Sequence, residues 1–339
     1  MSDPFGPKRD RWGRYLLPDP DTGKERAWTR ATTLASTLAD TYGLTKWQMR
    51  MVAKGLGMRP DLLALAAAAH VDDKSTLDKV AGDAKEAAGS SAGANAGTAL
   101  HAFTEAVDRG EDVTVPEPWA GDVAAYQRTL QAHKVTTHPD WVERIIVVPE
   151  YGVAGTFDRI VTLDGGRRVI ADVKTGKDLS YSWPEIAIQL ALYANATHMW
   201  AGDGWERLPV LDPSEAVVIW LPVGKGDCQL FTVDTVAGWE MAAIAHQVRA
   251  WRGRRNLATA WPATQEQKKT AVLGKLDRLN EQNLLRLVAA AGTVDELVQL
   301  WAKHDATGAW TPGLTAAAAA RKKALTEGTD QTQPKEAHA

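Results

Sequence analysis

The chain holds a single cysteine, Cys228, among its 339 residues. An internal disulfide framework, and any iron–sulfur or zinc cluster held by several thiolates, are therefore excluded. No apolar run reaches the ~18 residues that a bilayer requires, so neither a transmembrane helix nor a membrane partner is expected. The opening MSDPFGPKRDRWGRY is polar and basic and lacks an apolar core. That argues against a secretory signal and for the cytoplasm. No G-x-x-x-x-G-K-[ST] loop occurs, so no nucleotide-driven motor is built in. An excess of either charge is lacking too, with 39 basic against 42 acidic residues and a net of -3. A polyanionic partner would have to be held by local patches or through a metal. What remains is ordinary globular material, 45% hydrophobic and 24% charged. It is enough for a sizeable core in one large domain or several small ones.

Residues 1–27 read as a loop or short hairpin, with Pro18-Asp19-Pro20-Asp21 and Thr22-Gly23 as turn signals. Helical spacing starts at Ala31 with Leu34, Leu38, Leu44 and Trp47, and further helices are predicted over 61–70 and 72–88. Small residues at 89–93 interrupt it. A helix over 97–111 carries the stripe Leu100, Phe103, Val107 and stops at Gly110. One more is predicted over 119–134. The period then switches to two, predicting strands over 141–149, 155–163 and 167–175. A helix over 185–200, opened by Pro184, is apolar nearly all round and should be buried. Strands over 216–222 and 228–233 follow, then an amphipathic helix over 238–255 ending in Arg252, Arg254 and Arg255, which read as a solvated face. Short polar helices are predicted over 264–326 and a disordered tail from Glu327. The expected organisation is a helical N-terminal segment (1–95), an α/β core (96–262) and a helical C-terminal extension (263–339).

The most informative stretch is GTFDRIVTLDGGRRVIADVKTG, residues 155–176. If Asp164-Gly165-Gly166 is the loop, Leu163 faces Arg167, and counting outward sets Asp158 opposite Asp172. Opposed residues share a face, with Cβ atoms about 4.5–5.5 Å apart. The strand period adds Lys174 to that face. Two carboxylates and an ammonium converging there suit a divalent metal that activates water against a phosphodiester. The plain alternative is a solvated sheet face on a common type of hairpin. Against it, Asp172 falls within Val169-Ile170-Ala171-Asp172-Val173, apolar enough for a buried strand. A carboxylate there is costly unless a cation compensates it.

His101 lies at the edge of the Leu100 stripe, and Glu105, four residues on, shares its face. Imidazole, carboxylates and water together suit Mg²⁺ or Mn²⁺ better than a tetrahedral zinc. A structural histidine and a solvated glutamate are the alternatives. Gln189 and Tyr193 stand i, i+4 on the apolar helix, where a buried Gln needs several hydrogen-bond partners; ordinary core satisfaction competes. Gly97 and Thr98 are expected near the start of the His101 helix, where backbone N–H groups favour phosphate. Arg30, Thr32 and Thr33 precede another helix and are candidates for the DNA backbone. Plain capping is the alternative at both. Tryptophans could stack on unpaired bases, but Trp183 and Trp200 flank a buried helix and read as core.

Taken in order, GTALHAFTE (97–105), GTFDRI (155–160), ADVKTG (171–176) and QLALY (189–193) resemble the RecB-like branch of the PD-(D/E)XK nuclease superfamily, over roughly residues 95–235. The resemblance implies an α/β, restriction-endonuclease-like core with a mixed central sheet flanked by helices. It implies that His101, Asp158, Asp172 and the carbonyl of Val173 hold Mg²⁺ or Mn²⁺. Lys174, acting with Asp158 and Asp172, would position the attacking water or stabilise charge on the phosphate. Gln189 and Tyr193 would contact DNA and brace the site, with Glu105, Thr98 and Arg30 as further candidates. Arg159 after the first aspartate, in place of proline, is usual in this branch. The implied activity is metal-dependent DNA hydrolysis, most simply by a stand-alone exonuclease of the kind tailed phages encode, acting in recombination or replication. Relatives with a four-cysteine iron–sulfur cluster are disfavoured. A structure- or sequence-specific endonuclease with the same site is one alternative. A catalytically inactive DNA-binding accessory protein is the other, and the completeness of His101, Asp158, Asp172 and Lys174 weighs against it. The expected partners are DNA and, through the C-terminal extension, a protein such as a single-strand annealing protein.

Overall fold

The computed structural model describes residues 7–261 and 265–329. It divides into two compact units, residues 1–254 and 255–339. In the first, β1 (Tyr15–Pro18) and β2 (Glu25–Arg30) form a hairpin, so the N-terminal turn signals did mark one. Four helices follow: α1 (Ala31–Ala35), α2 (Tyr42–Met58), α3 (Pro60–Ala68) and α4 (Lys74–Ala87). Then come α5 (Ala92–Asp108) and α6 (Ala120–Ala132).

The remaining strands are β3 (Thr136–Val148), β4 (Val153–Thr162), β5 (Arg168–Lys174), β6 (His198–Trp200), β7 (Trp205–Arg207), β8 (Glu215–Trp220) and β9 (Gln229–Asp234). Helix α7 (Trp183–Ala194) joins β5 to β6, and α8 (Thr235–Arg252) closes the unit. The sheet runs β7-β6-β3-β4-β5-β8-β9, with β2 added alongside β4. It is mixed: β5 pairs with β8 in parallel, as β2 does with β4, and the other pairs are antiparallel.

Both faces of the sheet are covered, which is why β5 and β8 read as continuous apolar runs. Ile170, Ala216 and Val218 pack against α1, α7 and α8. The alternate residues Val169, Ala171, Val173, Val217 and Ile219 pack against Leu100 of α5 and Val123, Tyr126 and Leu130 of α6. The fold is therefore α/β, a central mixed sheet between helical layers. No described helix is long and apolar enough to cross a membrane.

Several elements differ from the sequence reading. The helix predicted over 185–200 stops at Ala194, where Asn195 Nδ2 donates to the Ala191 carbonyl at 2.9 Å. His198–Trp200 is instead strand β6, paired with Ile146 and Val147 of β3. The break expected over 89–93 is confined to residues before Ala92, where α5 begins, and the small residues at 92–96 extend that helix. Thr98 is thereby well inside α5, and its hydroxyl donates to the Ala94 carbonyl at 3.0 Å. Its amide is not at a helix start, and the phosphate-binding argument for Thr98 lapses.

In the second unit, three helices replace the short polar ones: α9 (Gln265–Ala290), α10 (Val294–Asp305) and α11 (Pro312–Thr329). They enclose a core of Leu284, Val288, Ala291, Leu297 and Leu314. The tail expected to be disordered from Glu327 is helical to Thr329, and its remainder lies outside the described residues.

Candidate active site

The hairpin loop is the three-residue one: Leu163 N–H donates to the Arg167 carbonyl at 2.8 Å, and Gly165 and Gly166 take φ of 94° and 86°. The β4–β5 ladder then runs inward from Thr162–Arg168 to Arg159–Ala171. The next opposed positions are Asp158 and Asp172. There the ladder gives way to a side chain: the Val173 N–H donates to Asp158 Oδ2 at 2.8 Å. This holds the Asp158 carboxylate beside the backbone of β5. Lys174 Nζ stands 2.6 Å from Asp172 Oδ2, and His101 Nδ1 stands 3.6 Å from Asp158 Oδ2.

His101, Asp158, Asp172, Val173, Lys174 and Gln189 line one cleft of about 440 Å³. Asp172 is 2% exposed. Burial first, then the Asp158 charge, push its carboxyl up to about 6 against the pull of Lys174. Burial disfavours the Lys174 ammonium, but Asp172 and Asp158 outweigh it and hold the pKa above the ordinary lysine value. Burial lowers His101 below the ordinary imidazole value; Asp158 opposes this, and Arg159 and Lys174 add to it. At neutral pH His101 is thus neutral, the form that can ligate a metal.

Two glycines let the motifs converge. A Cβ on Gly97 would stand 2.4 Å from Thr175 Oγ1 and displace that hydroxyl, so glycine lets α5 lie against the end of β5 with Thr175 in place. A Cβ on Gly155 would stand 2.7 Å from Tyr193 Cε1 and 2.8 Å from the Ala31 Cβ, so glycine admits the Tyr193 ring beside β4. Tyr193 is buried, and Gln189 Nε2 donates to its hydroxyl at 3.2 Å. Gln189 also borders a second, smaller pocket of about 180 Å³, lined by Arg9, Tyr15, Arg30, Thr32 and Tyr193. Arg30 therefore stands one pocket away from the carboxylates. Glu105 lies 3.6 Å from Arg109, and its carboxyl is raised chiefly by burial. Thr98 does not line the cleft.

Two features escaped the sequence reading. The pairs Val142–Arg159 and Arg144–Phe157 bracket Glu143 and set it opposite Asp158 on the other side of β4. Glu143 adopts φ 54°, and burial, then Asp158 and Glu105, push its carboxyl up to about 8. Arg144 separates Glu143 from the apolar run Ile145 to Val148, so the sequence carries no signal there like the one at Asp172. The second feature is Arg159, fully buried and ion-paired with Asp108. Asp108 accepts from Tyr126 OH at 2.8 Å, and Arg159 Nη2 donates to Thr104 Oγ1 at 3.4 Å. Because Thr104 and Asp108 belong to α5, this network fixes the helix carrying His101 against the strand carrying Asp158.

Among the described residues, no three His, Cys, Asp or Glu side chains stand close enough together to hold a metal ion. The donor set nonetheless fits one. Asp172 Oδ2 is buried, and its charge is met by the Lys174 ammonium 2.6 Å away, too little to hold the carboxyl at its ordinary value. The carboxyls of Asp172 and Glu143 are both raised, first by burial and then by the charge of Asp158. A divalent ion would relieve both effects, and imidazole with carboxylate oxygens is a mixed set suited to Mg²⁺ or Mn²⁺.

A mixed sheet between helical layers, with two acidic side chains and a lysine gathered at the end of one hairpin, is a nuclease-type α/β architecture. Residues 92–268 match the model of the PD-(D/E)XK nuclease superfamily, and the chain belongs to that superfamily. Its members are generally nucleases that use divalent metals, typically Mg²⁺. No curated protein matches the chain.

Proposed function

We propose that this chain is a divalent-metal-dependent DNA exonuclease of the RecB-like branch, with Mg²⁺ or Mn²⁺ held by His101, Asp158, Asp172 and the Val173 carbonyl. The observation that carries the reading is the convergence of His101, Asp158, Asp172, Val173 and Lys174 on one cleft. The ion, when bound, would acidify a water and offset charge on the phosphate. The protein's own groups do the rest. Val173 N–H and the Arg159 network hold Asp158 in place. Asp172 keeps the Lys174 ammonium charged and aimed into the cleft, where it can meet a phosphate oxygen. Tyr193 braces Gln189 at the junction of the cleft and the Arg9/Arg30 pocket, a path along which a DNA backbone could run. The stand-alone, phage-type role in recombination or replication, and a single-strand annealing protein as partner of the C-terminal unit, complete the proposal by analogy with the branch.

The test is digestion of end-labelled linear DNA against covalently closed circles, with Mg²⁺ or Mn²⁺. Degradation of linear DNA alone is expected. Nicking or linearisation of circles would replace the exonuclease by an endonuclease with the same site. Binding of DNA without any cleavage would leave an accessory protein.

A further inference from the structure

Next to the acidic cleft lies an aromatic one. Trp183 at the start of α7, Trp220 at the end of β8 and Phe231 on β9 line a pocket of about 240 Å³ with Asp178, Leu179 and Ser180. The Trp183 and Phe231 ring centres are 5.2 Å apart, and those of Trp220 and Phe231 6.2 Å. All three rings are only half-buried. Asp178 and Leu179 also line the acidic cleft, so the two hollows adjoin. The link is tight. Trp220 is the strand partner of Lys174, and its indole N–H donates to the Gly176 carbonyl at 2.8 Å. Tyr181, on the same rim loop, is 95% exposed.

We propose that this pocket receives one unpaired nucleobase of the DNA strand whose backbone enters the Lys174 cleft; this rests on the nuclease reading above. Aromatic walls at half burial give a base a stacking surface of the kind that serves any sequence. The polar rim separates a base from a phosphate. Asp178 is a carboxylate held by the Ser180 N–H at 2.9 Å and the Ser180 hydroxyl at 2.6 Å. It repels a phosphate but accepts a hydrogen bond from an exocyclic amine of cytosine, adenine or guanine. A base inside a duplex is stacked and paired and cannot present its faces to these rings. The pocket therefore selects strand ends that are single-stranded or frayed, and it places the adjoining phosphate near Lys174.

The experiment walks a single abasic position along a short single-stranded oligonucleotide. Binding to the full chain is read by fluorescence anisotropy without divalent metal, and cleavage is read separately with Mg²⁺. One position should stand out, with affinity reduced roughly 5- to 150-fold when its base is removed. Pairing that base in a duplex should cost as much. Trp220→Ala should erase the difference between intact and abasic strands, and so should Trp183→Ala, which removes another of the aromatic walls. Trp220→Phe keeps a ring while losing the bond to Gly176, and should retain the difference. The proposal is overturned if no position is sensitive, if both alanine variants keep the full abasic penalty, or if Trp220→Phe loses it. Cleavage by the wild type with no sensitive position would sink the subsite and leave the nuclease standing. A sensitive position in a protein that cuts nothing would do the reverse.

Discussion

Asp158 Oδ2 accepts the backbone N–H of Val173 at 2.8 Å, so a carboxylate takes up an amide at the point where the β4–β5 ladder ends. This bond orients Asp158 from the strand that carries Asp172 and Lys174. Asp172 Oδ2 instead faces the Lys174 ammonium at 2.6 Å. The two carboxylates are therefore unequal, and their behaviour should differ on titration.

Without metal, Asp172 titrates at about 6 when folded, above its ordinary 3.8. A raised carboxyl contributes stability that is fully present below the unfolded value and is lost as pH rises through the folded one. Glu143, at about 8 against 4.5, extends that loss to higher pH. In chelator, thermal stability should thus fall as pH rises above about 4. Asp172→Asn should make the fall between pH ~4 and ~6 shallower and raise the melting point above it. Identical pH profiles for variant and wild type would contradict the Asp172 assignment.

Lys174→Ala should retain Mn²⁺ binding and lose turnover, by about 10²–10³ in rate for one transition-state charge contact. It also strips Asp172 of the charge beside it. The metal-free variant should then melt earlier than wild type at pH 8, and added Mn²⁺ should close most of the gap. Calorimetric titration separates the effects: binding that collapses together with activity would make the lysine a structural residue.

His101→Ala should raise the metal concentration needed for half-maximal activity more than it changes the DNA requirement. Because burial lowers the imidazole pKa, the acid limb of the activity profile should lie below the ordinary histidine range. Excess metal should partly restore the rate on that limb. An unchanged metal requirement in the variant would reduce His101 to a packing residue.

Gly155→Ala places a methyl 2.7 Å from Tyr193 Cε1 and 2.8 Å from the Ala31 Cβ. Overpacking of this kind costs about 1–3 kcal/mol. A lowered melting point and weakened DNA cleavage are expected together, since the displaced ring is the one that holds Gln189. A wild-type melting curve would mean that both neighbours move aside freely.

Truncation near Thr264 removes α9, α10 and α11, whose core is their own. The shortened chain should keep metal-dependent cleavage of short DNA. The loss expected is in handling kilobase-long substrates or in capture of a protein partner. Loss of activity on the short substrate, in a protein still folded by circular dichroism, would place part of the active site in those helices.

Local rules were enough for much of this. The length of the Asp164-Gly165-Gly166 loop and the strand period set Asp158 against Asp172, because a hairpin's register is counted from its turn. The apolar run around Asp172 announced burial, and the stripe through Leu100 announced which side of α5 meets the sheet. Other features depend on partners distant in sequence. His198–Trp200 continues an apolar helical pattern, yet becomes a strand because β3 offers it an open edge. Thr98 is interior because Ala92 to Ala96 join the helix. Glu143 joins the carboxylates only through the β3–β4 pairing and a positive φ. Trp183, Trp220 and Phe231 come from three elements and form a cleft only when those elements meet. Periodicity records which face of an element is apolar; which face it meets, and what is left open between them, is decided when the layers pack.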